Sequence, residues 1–389
     1  MNRVCSIFSQ LLQLFPRLEF EAAVRKHNAN RHSRGFDCWT QFVAMLFCHL
    51  GQAHSLREIC GGLSATLGKL KHLGLEAGPA KSTLAYANAH RPWELYRTVF
   101  LELLERCHQV ARAERKHFRF KNPLLIIDST VVQLALSMFD WAVYQREKGA
   151  AKIHLVLEHQ GLLPQFAVIT EGKASDLAVA RSLQFPAGTI LVFDRGYQDY
   201  RWFDRLTKQK VFFVTRLRCH AHVEFVQDQP PGPNRNILRD QRVRIGSQGF
   251  RMGGDLRLIE SRDPATGISI ILVTNNWKLA ATTLAEVYQE RWQIEVFFRA
   301  LKQNLRVKTF VGTTANAVHI QIWTALIAVL LLRYLHMRSS LKWSFSNLLA
   351  LLRQQLFVHR DLWEWLNSPY QPPPALHRLD PRQSSFGFA

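Results

Sequence analysis

Apolar positions along the chain change their spacing three times. Over the first 75 residues they recur at helical intervals, in SIFSQLLQLF and in QFVAMLFCHLGQAHSLREICGGL, with Gly61-Gly62, Gly74 and Gly78-Pro79 as punctuation. Two more helical stretches follow in KSTLAYANAHRPWELYRTVFLELLERCHQVA, divided near Arg91-Pro92. From Pro123 the spacing shortens. LLIID (124–128) is the uniformly apolar run of a buried strand. KIHLVLEHQGLLPQFAVIT predicts two strands around a turn near Gln160-Gly161, and TILVFDRGY another buried strand ending in a glycine turn. A helix over about 199–208 and a strand in KVFFVTRLR complete the series. The order strand, hairpin, helix, strand, helix, strand predicts a mixed α/β sheet covered by helices.

A second change comes after residue 218. Residues 219–276 hold short alternating segments and turns behind the loop DQPPGPNRN, the pattern of a β-rich insertion. Helical spacing returns from about Thr283 to Arg338 and from Trp343 to about Leu366, and the proline- and serine-rich tail from Asn367 is expected to be loose. The most hydrophobic segment, Ile322–Leu332, is short for a bilayer span and reads as a buried core helix, so no membrane partner is expected. The first 15 residues read as an amphipathic helix without a signal-peptide cleavage site.

Charge narrows the partner. Fifty Lys and Arg against 30 Asp and Glu leave a formal net charge of +20, which calls for a polyanion, nucleic acid first among them. A ribosome-associated or membrane-surface protein is the plainer alternative. With 47% apolar residues the chain is a folded protein. The six cysteines form no CxxC pair or zinc-finger spacing and suit a reduced, cytoplasmic compartment. Lys81, Ser82, Thr83, Asn88 and Arg91 fit either a helix-turn-helix-like DNA reader or the polar face of a plain bundle. The basic run Arg112, Arg115, Lys116, Arg119 and Lys121 leads straight into the first strand.

The candidate chemistry is acidic. Asp128 closes LLIID and Asp194 closes TILVFD; carboxylates at the ends of buried strands are rigid yet accessible, as a hard cation such as Mg2+ requires. Capping of the next turn is the alternative role for each. On AEVYQERWQIEVFFRALKQNL (285–305), Tyr288, Arg291, Glu295 and Lys302 fall within an arc of roughly 60° at helical pitch, beside an apolar stripe of Val287, Ile294, Phe298, Leu301 and Leu305. An ion-paired helix face, with Glu295 bonded to Arg291 and Arg299, explains the same spacing.

The combination resembles the insertion-sequence 4 family of DDE transposases. YQERWQIEVFFRALKQNL carries the family's Y-x2-R-x3-E-x6-K signature as Tyr288, Arg291, Glu295 and Lys302. The flanks ILVTNN and KTFVGTTANAVHIQIWTALIA, together with IIDST, GAAKIHLVLEHQGLLP and VFDRGYQDY, extend the likeness over about 120–335. The N-terminal helices are similar to the extra domain of one subgroup. YQREK (144–148) echoes the signature letters without its spacing and receives no role.

The resemblance implies an α/β, ribonuclease H-like catalytic core with a β-rich insertion and a helical N-terminal DNA-binding region. It implies boundaries at 1–75 (N-terminal helical domain), 76–121 (helical DNA-binding or linker region), 122–218 (core, first part), 219–276 (insertion), 277–340 (core, second part, with the catalytic helix) and 341–389 (C-terminal helices and tail). Asp128, Asp194 and Glu295 would hold two Mg2+ ions, with Mn2+ as a substitute, for cleavage at transposon ends and strand transfer, cut-and-paste and often through a hairpin. Tyr288, Arg291 and Lys302 would grip phosphates, and Lys152 and His154 on the hairpin are further DNA candidates. Some relatives hold a flipped base with an aromatic residue of the insertion, for which Phe250 and Trp277 are the candidates. The partners implied are double-stranded DNA, as terminal inverted repeats and target, and a second copy of the chain, forming a homodimer in the DNA complex, nucleoid-associated in a bacterial cytoplasm. The rivals are another ribonuclease H-like nuclease and a domesticated, non-catalytic DNA-binding transposase.

Overall fold

A computed structural model describes residues 5–370 except 32, 34, 67–69, 113–116, 134–149, 231–233, 248, 249, 265, 306–310 and 313. The YQREK stretch, Arg115, Lys116 and the tail beyond 370 lie outside the described residues.

Small polar side chains open three of the six N-terminal helices. Ser6 caps α1 (Ile7–Leu12), Asp37 caps α3 (Cys38–Leu50) and Ser55 caps α4 (Leu56–Ser64), each accepting a backbone N–H three residues on. Between them lies α2 (Arg17–Lys26); α5 (Lys81–His90) and α6 (Glu94–Ala111) follow.

Next come β1 (Leu124–Gln133), the hairpin β2 (Ala150–Glu158) and β3 (Leu163–Glu171), α7 (Asp176–Ser182), β4 (Ile190–Phe193), α8 (Tyr200–Lys208) and β5 (Phe212–Arg216). Gly161 turns the hairpin at φ +74°, and a Cβ there would stand 2.8 Å from that of Ala111. β1 is antiparallel to β2 and parallel to β4, which is parallel to β5.

Residues 222–274 add β6 (His222–Asp228), β7 (Ile237–Ser247), β8 (Phe250–Arg251), β9 (Leu256–Arg262) and β10 (Ser269–Thr274). β10 pairs antiparallel with β5, so these strands extend one sheet in the order β3-β2-β1-β4-β5-β10-β9-β7-β6.

Two cores flank the sheet. One face, with Leu125, Ile127, Leu191, Phe193 and Phe213, packs on Trp202 and Phe203 of α8. The other, with Leu124, Ile126, Val192 and Val214, joins a core that takes in the N-terminal helices, α9 (Ala281–Gln289), α10 (Trp292–Leu305), α11 (Ala315–Arg338), α12 (Phe345–Gln355) and α13 (Leu362–Asn367). Every residue of α11 from Ile320 to Arg333 is buried. α11 is long and apolar enough to cross a membrane by length and composition, but α3, α5, α6, α10 and α12 cover it, as expected of a core helix. His49 of α3 bonds Thr324 of α11 at 2.9 Å. Gln10 of α1 binds the backbone of Arg360 (2.7 Å) and Leu362 (2.9 Å).

Three local expectations change. β1 continues five residues past Asp128, because β2 stays paired to it as far as Gln133. The helix expected over 285–305 is two helices: at Glu290 and Arg291 the bonds tighten to i→i+3, Arg291 N–H to Tyr288 O and Ile294 N–H to Arg291 O. Residues Lys81 to Arg91 share no single outward face. Lys81, Ser82 and Thr83 are exposed, whereas Asn88 is buried and accepts from Gln41 (2.8 Å), and Arg91 donates to the Asp37 carbonyl (2.8 Å).

Candidate active site

Strand register brings the two aspartates together. Ile127 is opposite Phe193 in the last paired row of β1 and β4, so Asp128 and Asp194 occupy adjacent positions one step beyond it. Asp128 is in mid-strand, but its β4 side opens there, which keeps the carboxylate accessible. Side chains alternate across a strand; Ile127 and Phe193 face α8, so Asp128 and Asp194 face the side on which α9 and α10 lie. The Ser129 N–H donates to Asp128 Oδ1 at 2.8 Å. Asp194 caps the turn that follows it, with the Gly196 N–H on its Oδ1 at 2.8 Å. A Cβ on Gly196 would sit 2.9 Å from that oxygen, so a residue without one allows the approach. Thr215 Oγ1 donates to the Asp194 carbonyl (3.1 Å) and Arg218 binds the carbonyls of Arg195 and Gly196, which fixes the loop.

Glu295 comes from the first turn of α10, whose residues Ile294, Phe297, Phe298 and Leu301 bury into the core over β1. Arg291 donates to Glu295 Oε1 at 2.6 Å and lies 6.0 Å from the Tyr288 ring centroid. Of the two ion pairs that spacing suggested, only this one forms, since Arg299 instead stacks on Trp292 at 5.5 Å. Asp128, Ser129, Thr130, Glu295, Phe298, Arg299 and Lys302 line an open cleft of about 560 Å3, with Lys302 exposed at its end. Arg299 and Thr130 were not singled out for this cleft, although Arg299 stands one turn beyond Glu295.

The charges of Asp194 and Glu295 both reach Asp128. Burial pushes the Asp128 carboxyl up to about 6; the negative charges of Asp194 and Glu295 add to this, while the Ser129 N–H and Arg291 oppose it. An all-carboxylate set of hard oxygens whose members repel one another fits a divalent cation in donor chemistry. Among the described residues no three acidic, histidine or cysteine side chains stand close enough to share one ion, and Glu295 is engaged with Arg291.

The structure does not bring Lys152 and His154 to this cleft. Their side chains lie on the α8 face of the sheet, under α7. Lys152 Nζ donates to the Ala174 carbonyl (2.8 Å) and pairs with Asp176 (3.3 Å). His154, 3% exposed, bonds Thr170 Oγ1 (2.8 Å) and stands 3.4 Å from Asp176. An imidazole so enclosed does not reach DNA in this conformation. Phe250 and Trp277 are likewise occupied, under Arg201 (5.6 Å) and Arg242 (4.9 Å). A second cavity, about 330 Å3, opens beside Arg291, with Tyr288, Trp292, Ile268 and Ile270 among its walls; Trp292 is half exposed.

Comparison with known proteins points to one family. Residues 119–331 match the transposase DDE domain, and residues 4–76 match a domain of unknown function (DUF4372). The chain is 29% identical over 338 residues to the putative transposase y4zB of Sinorhizobium fredii, covering 85% of this chain and 93% of that one. It is 33% identical over 257 residues to the probable transposase for insertion sequence element IS5377 of Geobacillus stearothermophilus, covering 66% and 67%. Among solved structures, a piggyBac transposase synaptic complex with hairpin DNA aligns over 92% of this chain and 80% of its own at 10% identity, with a TM-score of 0.46. The DDE domain spans both aspartates, the glutamate and the strands and helix that carry them, and the chain belongs to the DDE transposases of insertion sequences, in a form with an extra N-terminal domain.

Proposed function

We propose that this transposase cuts DNA at the ends of its element and joins the freed 3′ ends to target DNA, with Asp128, Asp194 and Glu295 as the metal-holding carboxylates of a ribonuclease H-like core. The observation that carries the reading is the placement of Asp128 beside Asp194 just past the β1–β4 pairing, with Glu295 of α10 on the same cleft as Asp128; burial, to which the charges of Asp194 and Glu295 add, pushes the Asp128 carboxyl up to about 6. The succession of strand, hairpin, helix, strand, helix and strand supports the fold assignment.

Two Mg2+ ions, or Mn2+ in their place, would supply activation of the attacking oxygen and stabilisation of the leaving one. The chain's own residues do the rest. Asp128 within β1 and Asp194 just past the end of β4 are held by backbone N–H groups, so little reorganisation precedes binding. Arg291 orients Glu295, Lys302 lines the cleft where a phosphate enters, and Tyr288 stands beside Arg291 to bind the same strand. The cavity beside Arg291, with Trp292 in its wall, suits an unstacked base. Cut-and-paste movement through a homodimer on double-stranded DNA completes the proposal.

The test compares wild type with Asp128→Asn, Asp194→Asn and Glu295→Gln on transposon-end DNA. Each variant is expected to lose strand cleavage while retaining DNA binding. Unimpaired Mg2+-dependent cleavage by any of the three rejects the assignment. Joining of the cut end to a target separates a transposase from a plain nuclease, and wild-type protein that binds but never cuts points to a domesticated regulator.

A further inference from the structure

The row that holds the two aspartates has a third member. Phe193 of β4 is opposite Thr215 of β5, as Ile127 is opposite Phe193, so Asp128, Asp194 and Arg216 occupy consecutive strands one step beyond the last paired row. Phe213 belongs to the core under α8 and Val214 to the opposite one, so strand alternation sends Arg216 to the same face as the two aspartates.

We propose that Arg216 is a further DNA-contacting residue, which binds a phosphate of the cleaved end from the β5 side of the site, across from Arg291 in the turn before α10 and Lys302 on α10. The inference rests on the transposase reading above and deepens it, since it adds a residue to that site's grip on its substrate.

Three observations support it. Arg216 is exposed and, among the described residues, has no salt-bridge partner, although its strand neighbour is Asp194. Neighbouring strands run about 4.8 Å apart, so the guanidinium forgoes a carboxylate within easy reach. Its positive field also reaches Tyr288, together with that of Arg291 and opposed by that of Asp194, which sets all four groups around one space. Finally, three carboxylates repel an incoming phosphodiester. Arg291, Arg299 and Lys302 offset that repulsion from α10 and the turn before it, and Arg216 is placed to do so from the sheet. Arg218, two residues on, is already committed to the Arg195 and Gly196 carbonyls.

The experiment measures binding of fluorescent transposon-end duplex by wild type, Arg216→Ala, Arg216→Gln and Arg216→Lys. Ca2+ is present to prevent cutting, and salt is varied from 50 to 300 mM. Cleavage in Mg2+ and the melting temperature are recorded alongside. Loss of one phosphate contact reduces the slope of log K against log salt by about 0.7–0.9. Arg216→Ala and Arg216→Gln are expected to show that loss and to bind about tenfold more weakly, at unchanged melting temperature. Arg216→Lys, which keeps the charge, is expected to restore most of the slope. If Arg216→Ala lowers the melting temperature, the comparison of Arg216→Gln with Arg216→Lys decides in the same way. Wild-type affinity and slope in Arg216→Gln, with a wild type that binds and cleaves, overturns the inference and leaves the transposase reading standing. A wild type that neither binds nor cleaves end DNA overturns both.

Discussion

Replacing Asp128 by Asn is expected to stabilise the metal-free protein while it abolishes cleavage. Burial and the charges of Asp194 and Glu295 move the Asp128 carboxyl from its ordinary 3.8 to about 6. In the unfolded chain no such pressure exists, so between those values the folded state binds more protons and stability falls as pH rises. The window closes above about pH 6, where the full cost is present. Two pKa units and a little more correspond to about 3 kcal/mol. An unfolding entropy of about 2.1 cal/mol/K per residue over 389 residues converts that to about 4 °C. Asn keeps the shape and never ionises. Thermal unfolding in EDTA should therefore show Asp128→Asn melting about 4 °C above wild type at pH 8, and the gap should shrink to about half at pH 5. Added Mg2+ should raise the wild-type melting temperature more than that of the variant. An Asn variant that melts below wild type at pH 8, or a gap indifferent to pH, refutes the claim that burial, with its two acidic neighbours, loads the ionised Asp128 carboxylate.

Lys302→Ala should weaken end-DNA binding at unchanged melting temperature, because the side chain is exposed at the cleft's end; filter binding with the end duplex checks it. Asn88→Ala should cost about 1–3 kcal/mol in urea unfolding by stranding the buried Gln41 amide, with end-DNA affinity intact, since both residues are 0% exposed. Asp176→Asn should destabilise the protein by about 1–2 kcal/mol, a buried-pair cost reduced for the partial exposure of Asp176, and leave the salt slope of DNA binding unchanged. A reduced slope would return Lys152 and His154 to the DNA interface.

Strand runs were the most legible part of the sequence. LLIID, ILVF and the segments around Gln160-Gly161 are buried on both faces or turn at a glycine, so local pattern and tertiary environment agree. The two aspartates were found because each ends such a run. What local pattern does not carry is pairing. The extension of β1 to Gln133 depends on β2, and the alignment of Arg216 with Asp194 depends on β4 lying beside β5. The break at Glu290 and Arg291 was hidden because a change from i→i+4 to i→i+3 bonding barely disturbs apolar periodicity over one turn. Lys152 and His154 look like an open strand face until α7 brings Asp176 over them. Asn88 and Arg91 look like a reader's polar face until α3 supplies Gln41 and the Asp37 carbonyl.

The joining of Gln10 to Arg360 and Leu362 has a consequence for how such a protein is made and altered. Residues of α1 and residues made some 350 positions later close one another's hydrogen bonds and share one core, so the N-terminal helices have no finished core of their own until the later helices emerge. At about 5–20 residues per second, a ribosome leaves them waiting for tens of seconds. An attempt to graft a foreign N-terminal segment onto this transposase must therefore carry α12 and α13 with it; otherwise it yields a chain whose two ends no longer recognise each other.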